Sequence, residues 1–532
     1  MGIMERPAVS VLANGGKYWE HTYEKFYLKV YVPASNIDGE ALNYTFRAPM
    51  LMVFEEKRGS KEDAIAFADR TGLAEIAAAA DGSVMFIYPT CEDGWDGADE
   101  SLYAAVIAET KMNPFYKDGI VEIQNFFTRE FQGYYVRGAI FRADIYSYGA
   151  SADYVAKNLL KTLQGEYLWG PGEITPAMCS MERLSVIPTP ERKDIGILSV
   201  GNSDSVNAGF AGCENLLVKD AADYKADFKN FVRKFKMWCG KMEYEPDFEA
   251  LGMNEDPGIV TVKTSPDNRG MYKDTKEHKV GYFAYYNKDA FDKGPAPLMI
   301  GFHGGGDSSM YLTFVAGWWE VCHKYGFLFV SIENHQNVTA TEVVQVYEAL
   351  KKRYNIDTSR VYASGFSMGS GKTWDMFQEY PQLFAGLAPH SALFPVRNNP
   401  FGMSIDDPRM NKNVSVPVFY SGGEKSHLPE LPFQAETGLD RIQYLASVNK
   451  LVKKFDVAFA DKDKWADPVY GEAADRVEKV PDESRGSILT IRYYNSEDGV
   501  CRTALSSIDN QIHECRQHTC ENAWKFLSQF TR

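Results

Sequence analysis

Between His21 and His278 the chain holds no histidine, so most of its first half has no imidazole that could act as a general base. Positive charge is also in short supply. Fifty-seven Lys and Arg face 72 Asp and Glu, a net charge of −15 and a pI near 5.2. That balance argues against a nucleic-acid or anionic-membrane partner. No apolar run approaches the roughly eighteen residues of a membrane span, so none is expected. The opening MGIMERPAVSVLANGGKYWE lacks a basic start followed by an apolar run, so no secretion signal is read. Cysteine is sparse and scattered, at positions 91, 179, 213, 239, 322, 501, 515 and 520. This usage suits a cytoplasmic protein, although a processed secreted one would look the same.

What is present is the make-up of a folded chain: 45% hydrophobic and 14% aromatic over 532 residues. That length exceeds one ordinary core and suggests two domains. Matched segments recur in the same order. Residues 48–89 read as strand, polar turn, helix, strand, and residues 296–333 repeat that order. Residues 143–159 parallel 360–377, and residues 195–205 parallel 416–426. The pattern predicts a duplication, with domains at 1–245 and 246–532 and the joint in the acidic stretch 239–258. In the second half, β-branched and aromatic runs at 298–302, 327–332, 360–365, 384–389, 416–420 and 488–494 read as strands. Helical periodicity lies between them at 309–325, 340–354, 368–380 and 439–455. Such alternation predicts an α/β fold, a mainly parallel sheet with helices on both faces and active groups at the carboxyl ends of strands.

The stretch RVYASGFSMGSGKTW, residues 360–374, carries two motifs. Its Gly371-Lys372-Thr373 resembles the end of a phosphate-binding loop, but that loop needs glycine at 366, where Phe366 stands. Its Gly365-Phe366-Ser367-Met368-Gly369 completes the G-x-S-x-G elbow, which presents Ser367 as a nucleophile. One strand–helix pair earlier comes His303-Gly304-Gly305-Gly306, whose glycines let backbone N–H groups approach a ligand. Gly304, Gly305 and the N–H of Met368 are therefore the candidate oxyanion donors.

HGGG, then YNIDTSRVYASGFSMGS, then a late histidine before AWKFLSQF, together resemble α/β-hydrolase esterases of the polyhydroxybutyrate-depolymerase and feruloyl-esterase type. The resemblance runs from residue 297 to the C-terminus. It implies an α/β-hydrolase fold and ester hydrolysis through an acyl-enzyme, without metal or cofactor, on a small-molecule or oligomeric ester. In chain order the base follows the elbow, and four histidines do: His390, His427, His513 and His518. The family places this base in a loop between the last strand and the C-terminal helix, which favours His513, since His518 is close enough to that helix to form its first turn. The orienting acid follows the strand at 416–420, where family members usually carry an aspartate. SGGEKSHLPELP offers Glu424 as the nearest carboxylate and Glu430 as the rival. His303, His390 and Trp374 are expected to line the substrate pocket, with Phe394 and Phe401 as hints of a bulky acyl group and the segments 397–413 and 461–485 as lids.

A peptidase or acyltransferase would use the same groups, and a non-enzymatic binding protein would need both halves degenerate. HECRQHTC packs His513, Cys515, His518 and Cys520 into eight residues, too tightly for a tetrahedral zinc site with no second half elsewhere. A Cys515–Cys520 disulfide is the alternative under oxidising conditions. In the first half, Gly149-Ala150-Ser151-Ala152-Asp153 is taken as the elbow counterpart, and Glu55-Glu56-Lys57-Arg58 replaces HGGG. With no histidine following, this half is expected to be catalytically dead, serving in packing, cleft shaping or homo-oligomer contacts.

Overall fold

Uncharged runs such as PMLMVF at 49–54 and LFVSI at 328–332 are buried along their whole length, which requires a sheet covered on both faces. The computed structural model describes residues 8–38, 41–42, 47–110, 136, 138–167, 170–238, 240–305, 308–393 and 406–532. It divides into two units, Met1–Asp247 and Phe248–Arg532, each built around one large sheet.

In the first unit the strands are β1 (Lys17–Thr22), β2 (Phe26–Val32), β3 (Pro49–Phe54), β4 (Val84–Pro89), β5 (Ala139–Tyr148), β6 (Met178–Glu182), β7 (Gly196–Val200) and β8 (Leu216–Lys219). Their order in the sheet is β1-β2-β4-β3-β5-β6-β7-β8, with the two-residue strand Ser10–Val11 beyond β1. The pairs β1/β2 and β2/β4 are antiparallel and the rest parallel.

The second unit repeats this plan. Its strands are β9 (Met253–Lys263), β10 (Glu277–Asn287), β11 (Ala296–Phe302), β12 (Leu328–Ile332), β13 (Ile356–Phe366), β14 (Gly386–His390) and β15 (Val418–Gly423). Three more follow: β16 (Arg476–Asp482), β17 (Ser487–Asn495) and β18 (Cys501–Ile508). The order is β9-β10-β12-β11-β13-β14-β15-β18-β17-β16. Its first two pairs are antiparallel and the next five parallel, as in the first unit. β17 and β16 then add an antiparallel edge. With the serine elbow leaving β13 and HGGG leaving its neighbour β11, this is an α/β-hydrolase fold.

Several elements depart from the sequence reading. The expected helix at 309–325 is a π-turn, Tyr311–Val315, and a separate helix, Trp318–Tyr325. Gly317 breaks them apart at φ 69°, a left-handed conformation that glycine adopts without strain. The helix expected to reach 455 stops at Val448. The strand next to β15 is β18, which the sequence reading did not mark, and the run at 488–494 forms β17 one place further out.

The register also moves the first-unit elbow. Phe54, the last residue of β3, pairs with Ser147, while Phe302, the last residue of β11, pairs with Gly365. Two residues on from each partner stand Gly149 and Ser367, each immediately before a helix, Ala150–Asn158 and Met368–Glu379. Gly149 has φ 62° and ψ −130°; Ser367 has φ 54° and ψ −114°. Gly149, not Ser151, therefore stands at the nucleophile position. Ser151 matches Gly369 instead, and its Oγ donates to Phe54 O at 2.7 Å from a fully buried site.

Candidate active site

Ser367 sits alone between β13 and its helix, in backbone geometry that costs a non-glycine residue on the order of 1–3 kcal/mol. Its N–H donates to His390 O at 3.0 Å, and its own carbonyl accepts from Gly371 N at 3.2 Å. The flanking glycines are required by contact. A Cβ on Gly369 would strike the carbonyl of Phe302, and one on Gly365 would strike the carbonyl of Gly369. The G-x-S-x-G spacing is thus a packing rule that lets the elbow helix approach the end of β11.

From Ser367 Oγ the contact runs 2.9 Å to His513 Nε2. His513 lies in the loop after β18, and several bonds hold that loop. Lys425 N donates to Gln511 O at 2.9 Å, Gln511 Nε2 donates to Glu514 O at 2.9 Å, and Cys515 N donates to Tyr311 OH at 3.2 Å. The imidazole packs 4.9 Å from the ring of Phe366. On its other side, His513 Nδ1 lies 2.5 Å from Glu430 Oε1. An ionised carboxylate only accepts, so the ring proton belongs on Nδ1 and leaves Nε2 free to accept from the serine hydroxyl.

The carboxylate beside His513 is that of Glu430, and the expectation of Glu424 is corrected. Glu424 continues the strand, donating its N–H to Ile508 O at 2.9 Å, while its Oε1 accepts from Ser507 Oγ at 2.8 Å, away from the histidine. The chain then loops out through residues 425–429 and returns. Glu430 is fully buried, its Oε2 accepting from Gly423 N at 2.6 Å and its N–H donating to Gln434 Oε1 at 2.8 Å. His427 comes within 5.8 Å of the His513 ring, and His518 is in the first turn of the helix Gln517–Leu527.

The loop after β11 lies against the elbow. A Cβ on Gly305 would run into Met368 Sδ, and one on Gly304 would come 3.0 Å from the Phe366 ring. Gly304, Gly305 and Met368 are thus brought together beside Ser367; Gly306 lies outside the described residues. Beneath them, His335 Nε2 meets His303 O at 2.5 Å. Burial pushes the His303 imidazole down to about 4, and His335 well below its usual value, with the nearby His303 and Lys372 adding to the effect. Both rings are neutral at pH 7, so His335 braces the loop as an uncharged donor. Its signal in the sequence is its position just past β12, at a carboxyl strand end.

A cavity of about 330 Å³ opens at Ser367 and His513. His335, Lys372, Asp375 and Arg441 line it with apolar Leu393 and Leu428. Lys372 Nζ donates to Val338 O at 2.7 Å and lies 3.2 Å from Asp375 Oδ2. Burial raises the Asp375 carboxyl, and Lys372 opposes that rise. None of the three expected pocket residues lines this cavity. His303 is fully buried with Nδ1 on Gly304 O at 2.7 Å; His390 is fully buried with Nδ1 on Ser421 Oγ at 2.6 Å; Trp374 is buried and donates to Ala392 O at 3.1 Å. Each is committed to the scaffold behind the site. Phe394, Phe401 and residues 397–405 of the first expected lid lie outside the described residues.

No family model matches this chain. Over 137 residues it is 31% identical to a bifunctional acetylxylan esterase/xylanase of Neocallimastix patriciarum, covering 24% of this chain and 19% of that protein. The chain therefore spans about a fifth of the length of this relative. Among solved structures, the acetyl xylan esterase from Aspergillus awamori aligns over 51% of this chain and 99% of its own, at 12% identity and a TM-score of 0.34. An S-formylglutathione hydrolase from Agrobacterium tumefaciens aligns over 37% and 84%, at 12% identity and a TM-score of 0.29.

Proposed function

We propose that this chain, an α/β-hydrolase in fold, is a serine carboxylic-ester hydrolase. The observation that carries the reading is the unbroken contact from Ser367 Oγ through His513 to buried Glu430, at the mouth of a cavity. Three segments far apart in sequence converge on one strained residue, an arrangement with a chemical use and a folding cost.

In the proposed reaction, Ser367 Oγ attacks the ester carbonyl carbon while its proton passes to His513 Nε2. Glu430 stays ionised and stabilises the imidazolium. The oxyanion is held by N–H groups of the 304–305 loop and of Met368, the first residue of its helix, where backbone donors lack an intrahelical partner. Collapse expels the alcohol, protonated by His513, and leaves an acyl-serine. Water, deprotonated by the same imidazole, then releases the acid. Neutral His335 keeps the donor loop in place without adding charge.

The substrate class we favour is a short acyl ester, such as an acetyl group, on a carbohydrate alcohol. The modest cavity supports it, as do the Lys372, Asp375 and Arg441 side chains that supply donors and acceptors for hydroxyls. The acetylxylan esterase name of the Neocallimastix relative points the same way. The test is labelling with a fluorophosphonate and mapping the modified residue by mass spectrometry. Label on Ser367, abolished in Ser367→Ala, is expected; label elsewhere, or none, overturns the reading. Assays on ester and amide substrates should show ester turnover, lowered by about 10⁴-fold or more in Ser367→Ala or His513→Ala.

A further inference from the structure

Behind the elbow, outside the chain of contacts from Ser367 to Glu430, three soft ligands meet. His390 ends β14, Cys515 follows His513 by two residues, and Cys520 lies in the first part of the helix Gln517–Leu527. A ring nitrogen of His390 and the two Sγ atoms all lie within 4.8 Å of one another. The residues are 0%, 1% and 0% exposed. His390 Nδ1 is taken by Ser421 Oγ, while its Nε2 is buried with no hydrogen-bond partner. The sulfurs stand 3.5 Å apart as free thiols, not as the disulfide considered from sequence.

From these observations we infer that His390, Cys515 and Cys520 form a zinc site. The sequence stretch HECRQHTC lacks the distant second half that a zinc site needs. Folding supplies it: His390 arrives from a strand more than a hundred residues earlier, and His513 is committed to Ser367 and Glu430. Two thiolates on one tetrahedral zinc, at about 2.3 Å each, lie about 3.8 Å apart, close to the observed separation. The Ser421 hydroxyl occupies Nδ1, which leaves Nε2, buried and without a hydrogen-bond partner, as the ring nitrogen open to a metal. Charge also closes. A divalent cation, two thiolates and a neutral imidazole sum to zero, which suits a site sealed from water. On binding, two S–H protons leave to solvent as two Zn–S bonds form, and the fourth corner is left to a small ligand such as water.

The ion would fasten the segment carrying His513 to the end of β14, whose His390 carbonyl already holds Ser367 N. It is therefore a structural clamp on nucleophile and base together, and it stands or falls independently of the ester-hydrolase reading.

The test uses the full chain, purified without chelator, reduced, and exchanged into buffer with one equivalent of zinc. We expect about one zinc per chain after gel filtration, by elemental mass spectrometry, and none in Cys520→Ser or His390→Ala. Should those variants fail to fold, cobalt(II) added to the stripped wild-type chain provides the second measurement. It should give the intense visible bands of a tetrahedral site and a near-ultraviolet sulfur-to-cobalt band. Bound zinc should also protect Cys515 and Cys520 from alkylation, while Cys91 reacts. The proposal is overturned if the reduced chain retains no zinc, if cobalt gives only the weak spectrum of an octahedral ion, or if Cys520→Ser keeps its zinc.

Discussion

Two glutamates six residues apart have opposite fates in this structure. Glu424 faces Ser507 beside a buried arginine, Arg492, and Glu430 faces His513. Glu430→Gln should cut kcat/KM on an aryl acetate by about 10²- to 10⁴-fold with the fold intact, because the amide no longer stabilises the imidazolium. Glu424→Gln should stay within a few-fold of wild type. A reversal of that order would return the role to Glu424. A carboxylate at the end of the elbow helix, Glu379, gives a pH signature. Burial, then the charge of Asp375, pushes Glu379 up to about 7, against some relief from Lys372. An acid whose folded value is raised contributes full stability below its unfolded value, near 4.5, and loses it as pH climbs towards 7. Glu379→Gln should therefore gain about 1–2 kcal/mol at pH 8, allowing for partial solvent screening, and nothing at pH 4, measured by urea unfolding at both. Ser367, Gly304 and Gly305 were singled out by motifs with a geometric reason, and His513 by where the resembled family places its base. Glu430 was ranked second to Glu424 because its place depends on a loop that leaves β15 and comes back. His303, His390 and Trp374 were misread for the opposite reason: their sequence positions lie near the site, while their side chains turn into the core.

At the scale of elements, the elbow helix can approach β11 only because residue 369 has no side chain. Gly369→Ala sets a methyl group against the carbonyls of Phe302 and His303, contacts that backbone alone must relieve. We expect a loss of about 1–3 kcal/mol of stability in chemical unfolding, with turnover falling further as Met368 is displaced from Ser367. The first unit meets the same crowding differently: Ser151 spends its hydroxyl on the matching carbonyl of Phe54. The brace below repeats too, since Trp95 Nε1 donates to Glu55 O at 2.5 Å where His335 meets His303 O. Matching on the serine therefore misaligned the two elbows by two residues, and only the register of β3 with β5 corrected it. The central parallel strands were readable from their apolar runs. β18 was not, because CRTALSSI carries too little apolar signal; Thr503, Ser506 and Ser507 are buried by neighbours rather than by their own hydrophobicity.

Across the whole molecule, one eight-strand plan occurs twice, and only one copy carries a serine at its elbow. A fluorophosphonate should therefore modify one residue per chain, and Ser151→Ala should keep wild-type turnover; two labels, or a dead Ser151→Ala with normal unfolding, would reopen the first unit as a catalyst. At Gly149 the bend persists without the strain that Ser367 bears, since glycine adopts φ 62° freely. A Cβ there would collide with the carboxylate of Glu56, which also approaches Arg183 at 3.4 Å. A serine at 149 would therefore need the Glu56 side chain to swing aside. To act as a second catalytic centre, this unit would need a hydroxyl at 149, a displaced anion and an imidazole, and no histidine lies between His21 and His278 to supply the last.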